Sequence, residues 1–195
     1  AAHGYTCSFF SDIVGANGII YAVEFSERCF NELLPVAEKY KNVVPILADA
    51  RLPEQYGWVE KVDVVYVDIA QPDQTEIAIR NCNAFLKKCG FLMLAVKTQS
   101  IDVTKSSKNH LKRNMDLLWH RCQPANLRAH FYYFICLPNS CSALSKNCFN
   151  LSFGMIAPAA FSCPPPEASF ISRQMLSNIL PRLMPSMPVL ALIFI

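Results

Sequence analysis

Charged residues stand at the ends of four apolar runs in this sequence. Glu24 follows IIYAV, Asp49 follows VVPILA, Asp68 follows VVYV and Lys97 follows FLMLAV. In parallel sheets covered by helices, ligands bind outside the carboxyl ends of the strands. The four positions therefore predict a ligand site at one edge of a sheet.

Asp68 and Lys97 have the chemistry for moving a proton. A carboxylate that directly follows VVYV is poorly solvated unless it meets a ligand or a cation, so we interpret Asp68 as functional. An amine at the end of a neighbouring strand forms either a stabilising ion pair or an acid-base couple. Such a couple would help a weak nucleophile, for example a sugar hydroxyl, to lose its proton during attack.

Glu24 and Asp49 each allow two interpretations. Glu24 lies twenty residues after Gly4, the offset at which an acid binds a ribose diol, but it could also cap the following helix. Asp49, in the sequence ADAR, could accept a hydrogen bond from an adenine amino group or pair with Arg51. A nicotinamide-dependent dehydrogenase would explain Glu24 but not Lys97 or the turn at residues 71–74.

The elements that would position these residues alternate as in an α/β protein with a parallel sheet. The apolar runs lack polar alternation, which indicates strands covered on both faces. The predicted strands span residues 19–25, 43–49, 62–70 and 91–97. Predicted helices cover residues 8–14, a segment capped by Ser26 and stopped by Asn42, and residues 75–88 with Thr75 as the cap.

The composition changes after Lys108. There are 13 acids and 11 bases up to that residue, but 2 acids and 7 bases after it. No strand-helix alternation is evident past Thr104, so we predict a partial α/β domain at 1–105 and an unassigned segment at 106–195. The apolar tail MPVLALIFI is shorter than the roughly 20 residues of a spanning helix, and we expect no transmembrane segment.

Nine cysteines are present without a C-x-x-C pair, so we expect reduced structural thiols and no metal site. Reduced thiols suit a cytosolic setting. The first ten residues also lack the basic start and apolar run of a secretory signal.

Four runs carry a resemblance: SDIVGANGIIYAVEFSER, NVVPILADARLPEQY, VDVVYVDIAQPDQT and LAVKTQSIDVTK. They resemble fibrillarin, the guide-RNA-dependent RNA 2′-O-methyltransferase, in its archaeal form more than its eukaryotic form, from Ala1 to about Lys105. The resemblance implies a Rossmann-like methyltransferase fold, S-adenosylmethionine as cofactor and methyl transfer to ribose 2′-hydroxyls of rRNA or tRNA. Localisation would be cytoplasmic in an archaeon and nucleolar in a eukaryote.

The resemblance also assigns residues, carried over by matching motif. Asp68 and Lys97 match the two central members of a lysine-aspartate-lysine-histidine catalytic group. The implied cofactor-binding residues are Tyr5, Thr6, Glu24, Phe25, Asp49, Ala50, Asp68 and Gln71. The implied partners are box C/D guide RNA, target rRNA, the scaffold protein of that particle and, indirectly, its kink-turn-binding protein.

Parts of the family pattern have no counterpart here. The family's first strand and first lysine would precede Ala1, which implies an unfilled central position in the sheet. His110, His120 and His130 do not match the family histidine. The alternative function is therefore a truncated, non-catalytic fibrillarin-derived fragment with at most partner or nucleotide binding.

Overall fold

The computed structural model describes residues 1–101, 113, 114, 116–118, 121, 130–135 and 191–195. The helices are α1 (Tyr5–Val14), α2 (Glu27–Lys39), a 3-10 helix (Pro53–Tyr56), α3 (Gln74–Phe85) and α4 (Thr98–Ile101). The strands are β1 (Ile19–Glu24), β2 (Val43–Leu47), β3 (Val62–Val67), β4 (Leu86–Val96), β5 (His130–Ile135) and β6 (Ala191–Phe194).

The six strands form one sheet in the order β2-β1-β6-β3-β4-β5, with parallel pairing throughout. One face packs against α1 and α2 through Cys7, Phe10 and Leu33. The other face packs against the 3-10 helix and α3, with Tyr56 and Ile77 in the cluster. The apolar runs of β1 and β3 thus form strands that are buried on both faces, as predicted, whereas the edge strand β2 is only partly buried.

Strand β6 occupies the centre of the sheet, between β1 and β3. Leu192 and Phe194 belong to the cluster under α1 and α2, whereas Ile193 and Ile195 belong to the cluster under α3. The Phe194 ring stacks on Tyr66, with centroids 4.8 Å apart. The expectation of an unfilled central position was wrong for this structure, because the apolar tail has the alternating large side chains that a two-sided core accepts.

Both ends of β6 are also held by β3. Ala191 donates its backbone N–H to the buried carboxylate of Asp63 at 2.9 Å. Asp68 donates its N–H to the Ile195 carbonyl at 3.0 Å, and the Ile195 N–H donates to Tyr66 at 2.9 Å. The tail therefore reaches the residue that the sequence marks as functional.

Two predicted boundaries differ in the structure. α3 begins at Gln74 rather than after a Thr75 cap, and the Thr75 hydroxyl is buried without a hydrogen-bond partner in the described part of the chain. Lys87 is already in β4, where it pairs with Asp63 at 3.0 Å instead of ending the helix. The segment pairs with β3 instead, since tertiary contacts can override helix propensity.

Helix α2 matches its prediction at the start. The Ser26 hydroxyl accepts a hydrogen bond from the Cys29 N–H at 3.5 Å, and the helix ends at Lys39. Asn42 does not cap α2 but donates to the carbonyls of Ser11 and Gly15 at the end of α1.

Residues after the predicted domain boundary also enter the sheet. The aromatic run His130–Ile135 forms β5, which pairs with β4, although no strand-helix alternation marked it in the sequence. Aromatic residues favour strands without any need for alternation. The division at residue 105 stays a prediction.

The described cysteines include three free thiols, Cys7, Cys29 and Cys82. Burial raises the pKa of the Cys7 thiol to about 12, which suits a structural role. Among the described helices, none has the length and apolar character to cross a membrane.

Candidate active site

Asp68 and Lys97 meet at the carboxyl edge of the sheet, immediately after β3 and β4. The Lys97 Nζ lies 2.9 Å from Asp68 Oδ1 and donates a second hydrogen bond to the Asp68 carbonyl at 3.2 Å. Their side chains are 32% and 27% exposed, so the pair is sheltered yet reachable from solvent. Asp68 and Lys97 therefore form an ion pair, and the pair lies at the carboxyl edge of the sheet, where an acid-base couple would act.

The turn after Asp68 is held from one side by Arg51. The guanidinium donates to both carboxylate oxygens of Asp73, from Nε at 2.8 Å and from Nη2 at 3.0 Å. Nη2 also donates to Gln71 Oε1 at 3.1 Å. A two-pronged arginine-carboxylate contact fixes geometry as well as charge, so this clamp orients the Gln71 amide.

Asp49 pairs with Arg51, as one of the two interpretations proposed, but less closely than Asp73 does. Asp49 Oδ1 accepts the Arg51 backbone N–H at 2.9 Å, but it lies 3.7 Å from the guanidinium, which is committed to Asp73. The Asp49 side chain stays 36% exposed at the edge. Sequence reasoning missed the role of Arg51 because its partners lie 20 and 22 residues away.

The loop that carries Asp49 and Ala50 is fixed from α3. Buried Asn81 donates to the Ala50 carbonyl at 2.8 Å and to Ile77 at 2.9 Å, and it accepts the Tyr56 hydroxyl at 2.5 Å. Burial raises the pKa of Tyr56 well above its usual value, so Tyr56 remains a hydrogen-bond donor. The backbone carbonyl of Ala50 therefore already accepts a hydrogen bond, and the Ala50 methyl group packs against the core.

Glu24 at the end of β1 binds backbone N–H groups. Oε1 accepts the Ser26 N–H at 2.9 Å, and Oε2 accepts the Ala2 N–H at 2.6 Å. Glu24 therefore does not cap α2 itself; it accepts the backbone N–H of Ser26, the residue that does.

Phe25, Tyr5 and Thr6 are the other residues that the family resemblance assigns to cofactor binding. Phe25 follows Glu24 and is 65% exposed, and Tyr5 is 59% exposed. Tyr5 and Thr6 are the first two residues of α1, and Gly4 before them has a φ of 77°. The edge therefore presents an exposed aromatic ring beside two acids.

A family model described as fibrillarin matches residues 1–126 of this chain. The chain belongs to the fibrillarin family. The match extends beyond residue 105, where the recognisable motifs end. The described sheet has the Rossmann-like fold of the S-adenosylmethionine-dependent methyltransferases to which fibrillarin belongs.

Curated fibrillarin relatives are similar over the first part of the chain. A protein of Saccharolobus islandicus (strain L.S.2.15 / Lassen #1), named fibrillarin-like rRNA/tRNA 2′-O-methyltransferase, is 54% identical over 119 residues, covering 60% of this chain and 51% of the relative. The Pyrococcus furiosus protein of the same name is 51% identical over 112 residues, covering 57% and 49%. The chain spans about half the length of the curated relatives it matches.

Solved fibrillarin structures are similar to the same part. Aeropyrum pernix fibrillarin with natively bound S-adenosyl-L-methionine superposes with a TM-score of 0.56 at 44% identity, covering 62% of this chain and 53% of that one. A fibrillarin/Nop5p complex gives a TM-score of 0.55 at 43% identity, covering 60% and 57%.

None of the three histidines after residue 105 is placed at the Asp68–Lys97 edge in the described part of the chain. His110 and His120 lie outside the described residues, and His130 starts β5. Because β5 runs parallel to β4, His130 lies beside Phe91, at the opposite end of the strand from Lys97. Within the described part of the chain, no three His, Cys, Asp or Glu side chains cluster as metal ligands.

Gly4→Ala is expected to lower the free energy of unfolding by about 1–3 kcal/mol. An added Cβ would sit 2.6 Å from Leu33 Cδ1, and the left-handed φ disfavours any residue but glycine. Urea denaturation followed by circular dichroism measures the change. Gly57→Ala is the matched control, since its φ is ordinary and its nearest contact is 3.6 Å. Equal effects of the two substitutions would contradict the close packing of α1 on α2.

Acid is expected to weaken the Arg51 clamp. The hydrogen bond from Arg51 lowers the pKa of Asp73, so the pair's stabilisation is present above the unfolded value of about 3.9 and is lost as the pH falls through the lower folded value. The stability difference between the unaltered chain and Arg51→Met should therefore shrink as the pH falls from about 5 to 2. Denaturation at several pH values measures it, with exposed Arg28→Met as control. A difference independent of pH would refute the clamp.

Proposed function

We propose that this chain is a fibrillarin-type RNA 2′-O-methyltransferase, which transfers a methyl group from S-adenosylmethionine to ribose 2′-hydroxyls of rRNA or tRNA. The observation that carries the proposal is the Asp68–Lys97 pair, 2.9 Å apart at the carboxyl edge of the sheet. The names of its relatives support the same activity.

The residues present fit the cofactor. Phe25 offers an exposed ring for stacking on adenine, and Asp49 is an accessible acceptor for its amino group. Gln71 has its oxygen engaged by Arg51, which leaves its amide nitrogen as the donor toward a ligand. With Tyr5, Thr6, Glu24, Ala50 and Asp68, these residues would hold S-adenosylmethionine, whose sulfonium supplies an electrophilic methyl group.

The chain's own contribution is positioning and proton removal. Lys97 holds the Asp68 carboxylate at one place on the edge, so that the couple can take the proton of a ribose hydroxyl as the hydroxyl attacks. Orientation of reactants supplies much of the rate in such a displacement. Lys97 and Asp68 are proposed as the catalytic residues.

We propose that RNA selection is delegated to a box C/D guide RNA and to the particle's scaffold protein, with the kink-turn-binding protein as an indirect partner. The chain carries 13 acids and 11 bases up to Lys108, a balance that disfavours autonomous RNA binding. One related structure is a fibrillarin/Nop5p complex, which supports a scaffold partner. Localisation is proposed as cytoplasmic in an archaeon and nucleolar in a eukaryote.

Calorimetric titration of S-adenosylmethionine into the full chain tests the cofactor site. We expect saturable binding that Asp49→Ala weakens and that Asp12→Ala, which removes an exposed acid of α1, leaves unchanged. Transfer of labelled methyl to a guide-matched RNA, in the presence of scaffold protein, tests the reaction. Binding without transfer would favour the non-catalytic alternative, and no binding by the folded chain would overturn the cofactor site.

A further inference from the structure

Gln74, at the start of α3, uses both ends of its side-chain amide inside the protein. Oε1 accepts the Lys97 backbone N–H at 2.9 Å, while Nε2 donates to the Lys97 carbonyl at 3.3 Å and to the Gln71 carbonyl at 3.0 Å. The residue is fully buried. One side chain therefore binds both backbone groups of Lys97. The Lys97 carbonyl also accepts the Ser100 N–H at 3.0 Å, whereas the Lys97 N–H donates to Gln74.

Lys97 needs such a support because of where it lies. β4 ends at Val96, and the last register pair with β5 joins Val96 to Ile135. Beyond that pair the strand ladder no longer holds the backbone, yet the Lys97 ammonium must reach Asp68 at 2.9 Å. A shift of the Lys97 backbone would move the ammonium with it.

Gln74 also joins this strand end to the turn that carries Gln71. Arg51 holds that turn from the β2 side through Asp73 and Gln71. Gln74 holds it from the β4 side, through the Gln71 carbonyl. The exits of β3 and β4, which carry Asp68 and Lys97, are thus tied together by an amide whose three hydrogen bonds go to backbone groups.

We propose that Gln74 is a positioning residue, which sets the Asp68–Lys97 pair by fixing the backbone of Lys97. The consequence for methyl transfer rests on the proposed function, but the effect on the pair does not. The neighbouring Thr75 provides a matched comparison, because it is equally buried and its hydroxyl has no partner in the described part of the chain.

Substitutions of Gln74 that keep or remove particular amide hydrogen bonds can separate its role from that of a buried side chain. Gln74→Met keeps the length and the burial but removes all three hydrogen bonds. Gln74→Asn keeps both amide atoms on a shorter arm, and Gln74→Glu removes the donor that two carbonyls need. Thr75→Val keeps the shape and removes an unpaired hydroxyl.

The test is the ¹³Cε chemical shift of Lys97 at one fixed pH in the full chain, by NMR of ¹³Cε-labelled lysine, with the signal assigned by Lys97→Arg. Gln74→Met, at a temperature where circular dichroism shows it folded, is expected to move this chemical shift toward that seen in Asp68→Asn. Thr75→Val is expected to leave the chemical shift unchanged. If Gln74→Met does not fold, Gln74→Asn is compared in the same way.

Methyl transfer is the second readout. Gln74→Met is expected to lower kcat by about 10²-fold, the cost of a small misplacement, with little change in the KM for RNA. An unchanged Lys97 chemical shift in a folded Gln74 variant would overturn the positioning role. If the unaltered chain transfers no methyl group, the proposed function fails, and the chemical shift of Lys97 still decides the role of Gln74.

Discussion

Phe194→Ala is expected to lower the free energy of unfolding by about 3–5 kcal/mol, the cost of removing a large aromatic ring from a core. Phe194 is 4% exposed, and its ring stacks on Tyr66 and meets Phe10 edge-on with centroids 5.7 Å apart. The loss would open a cavity at the centre of the sheet, where β6 separates β1 from β3. Urea denaturation followed by circular dichroism measures it.

Leu47→Ala is the control for Phe194→Ala. Leu47 lies on the edge strand β2 and is 47% exposed, so its loss should cost under about 1 kcal/mol. If Phe194→Ala cost no more than Leu47→Ala, the tail would not be the central strand. Ile193→Val, which removes one buried methyl group on the other face, should cost about 0.5–1.5 kcal/mol.

Asp68→Asn and Lys97→Met are each expected to lower the single-turnover rate of methyl transfer by about 10²–10⁴-fold, the usual contribution of general acid-base catalysis. The pair acts as a unit, so the double variant should be little slower than either single one. Cofactor binding, measured by calorimetry, should change far less with Lys97→Met. This prediction depends on the proposed function.

The sheet contains its own control for that pair. Lys87 and Asp63 join the same two strands at their amino ends, with Nζ and Oδ2 3.0 Å apart. Lys87→Met removes the same kind of ion pair at the edge that carries no proposed chemistry, so it should lower stability and leave the rate unchanged. A rate for Lys97→Met within a few-fold of that for Lys87→Met would contradict a catalytic role.

Much of the site follows from local patterns. Each apolar run became a strand, and strand ends of parallel direction must share an edge, so Asp68 and Lys97 could be expected to meet. The Ser26 cap of α2 is equally local, because the hydroxyl and the N–H it accepts are three residues apart. The family motifs added the cofactor and the reaction.

Other parts of the site depend on contacts between distant residues. Arg51 pairs with Asp49, two residues away, only at 3.7 Å, while its guanidinium hydrogen-bonds to Asp73, 22 residues on. Gln74 looked like one polar residue of a turn, and its partner Lys97 is 23 residues away. No spacing in the sequence distinguishes these partners, because they meet only once β2, β3 and β4 are aligned.

The local order of polar and apolar residues was sufficient for the strands, the start of α2 and the charged edge, since those depend on neighbours within a few residues. The place of the last strand was not predictable in this way. Ala191 meets Asp63 across 128 positions, and an apolar tail of this kind fits any two-sided core of suitable width. The tail is identified as a central strand only by the tertiary structure, in which the Phe194 ring packs against Phe10 and Tyr66.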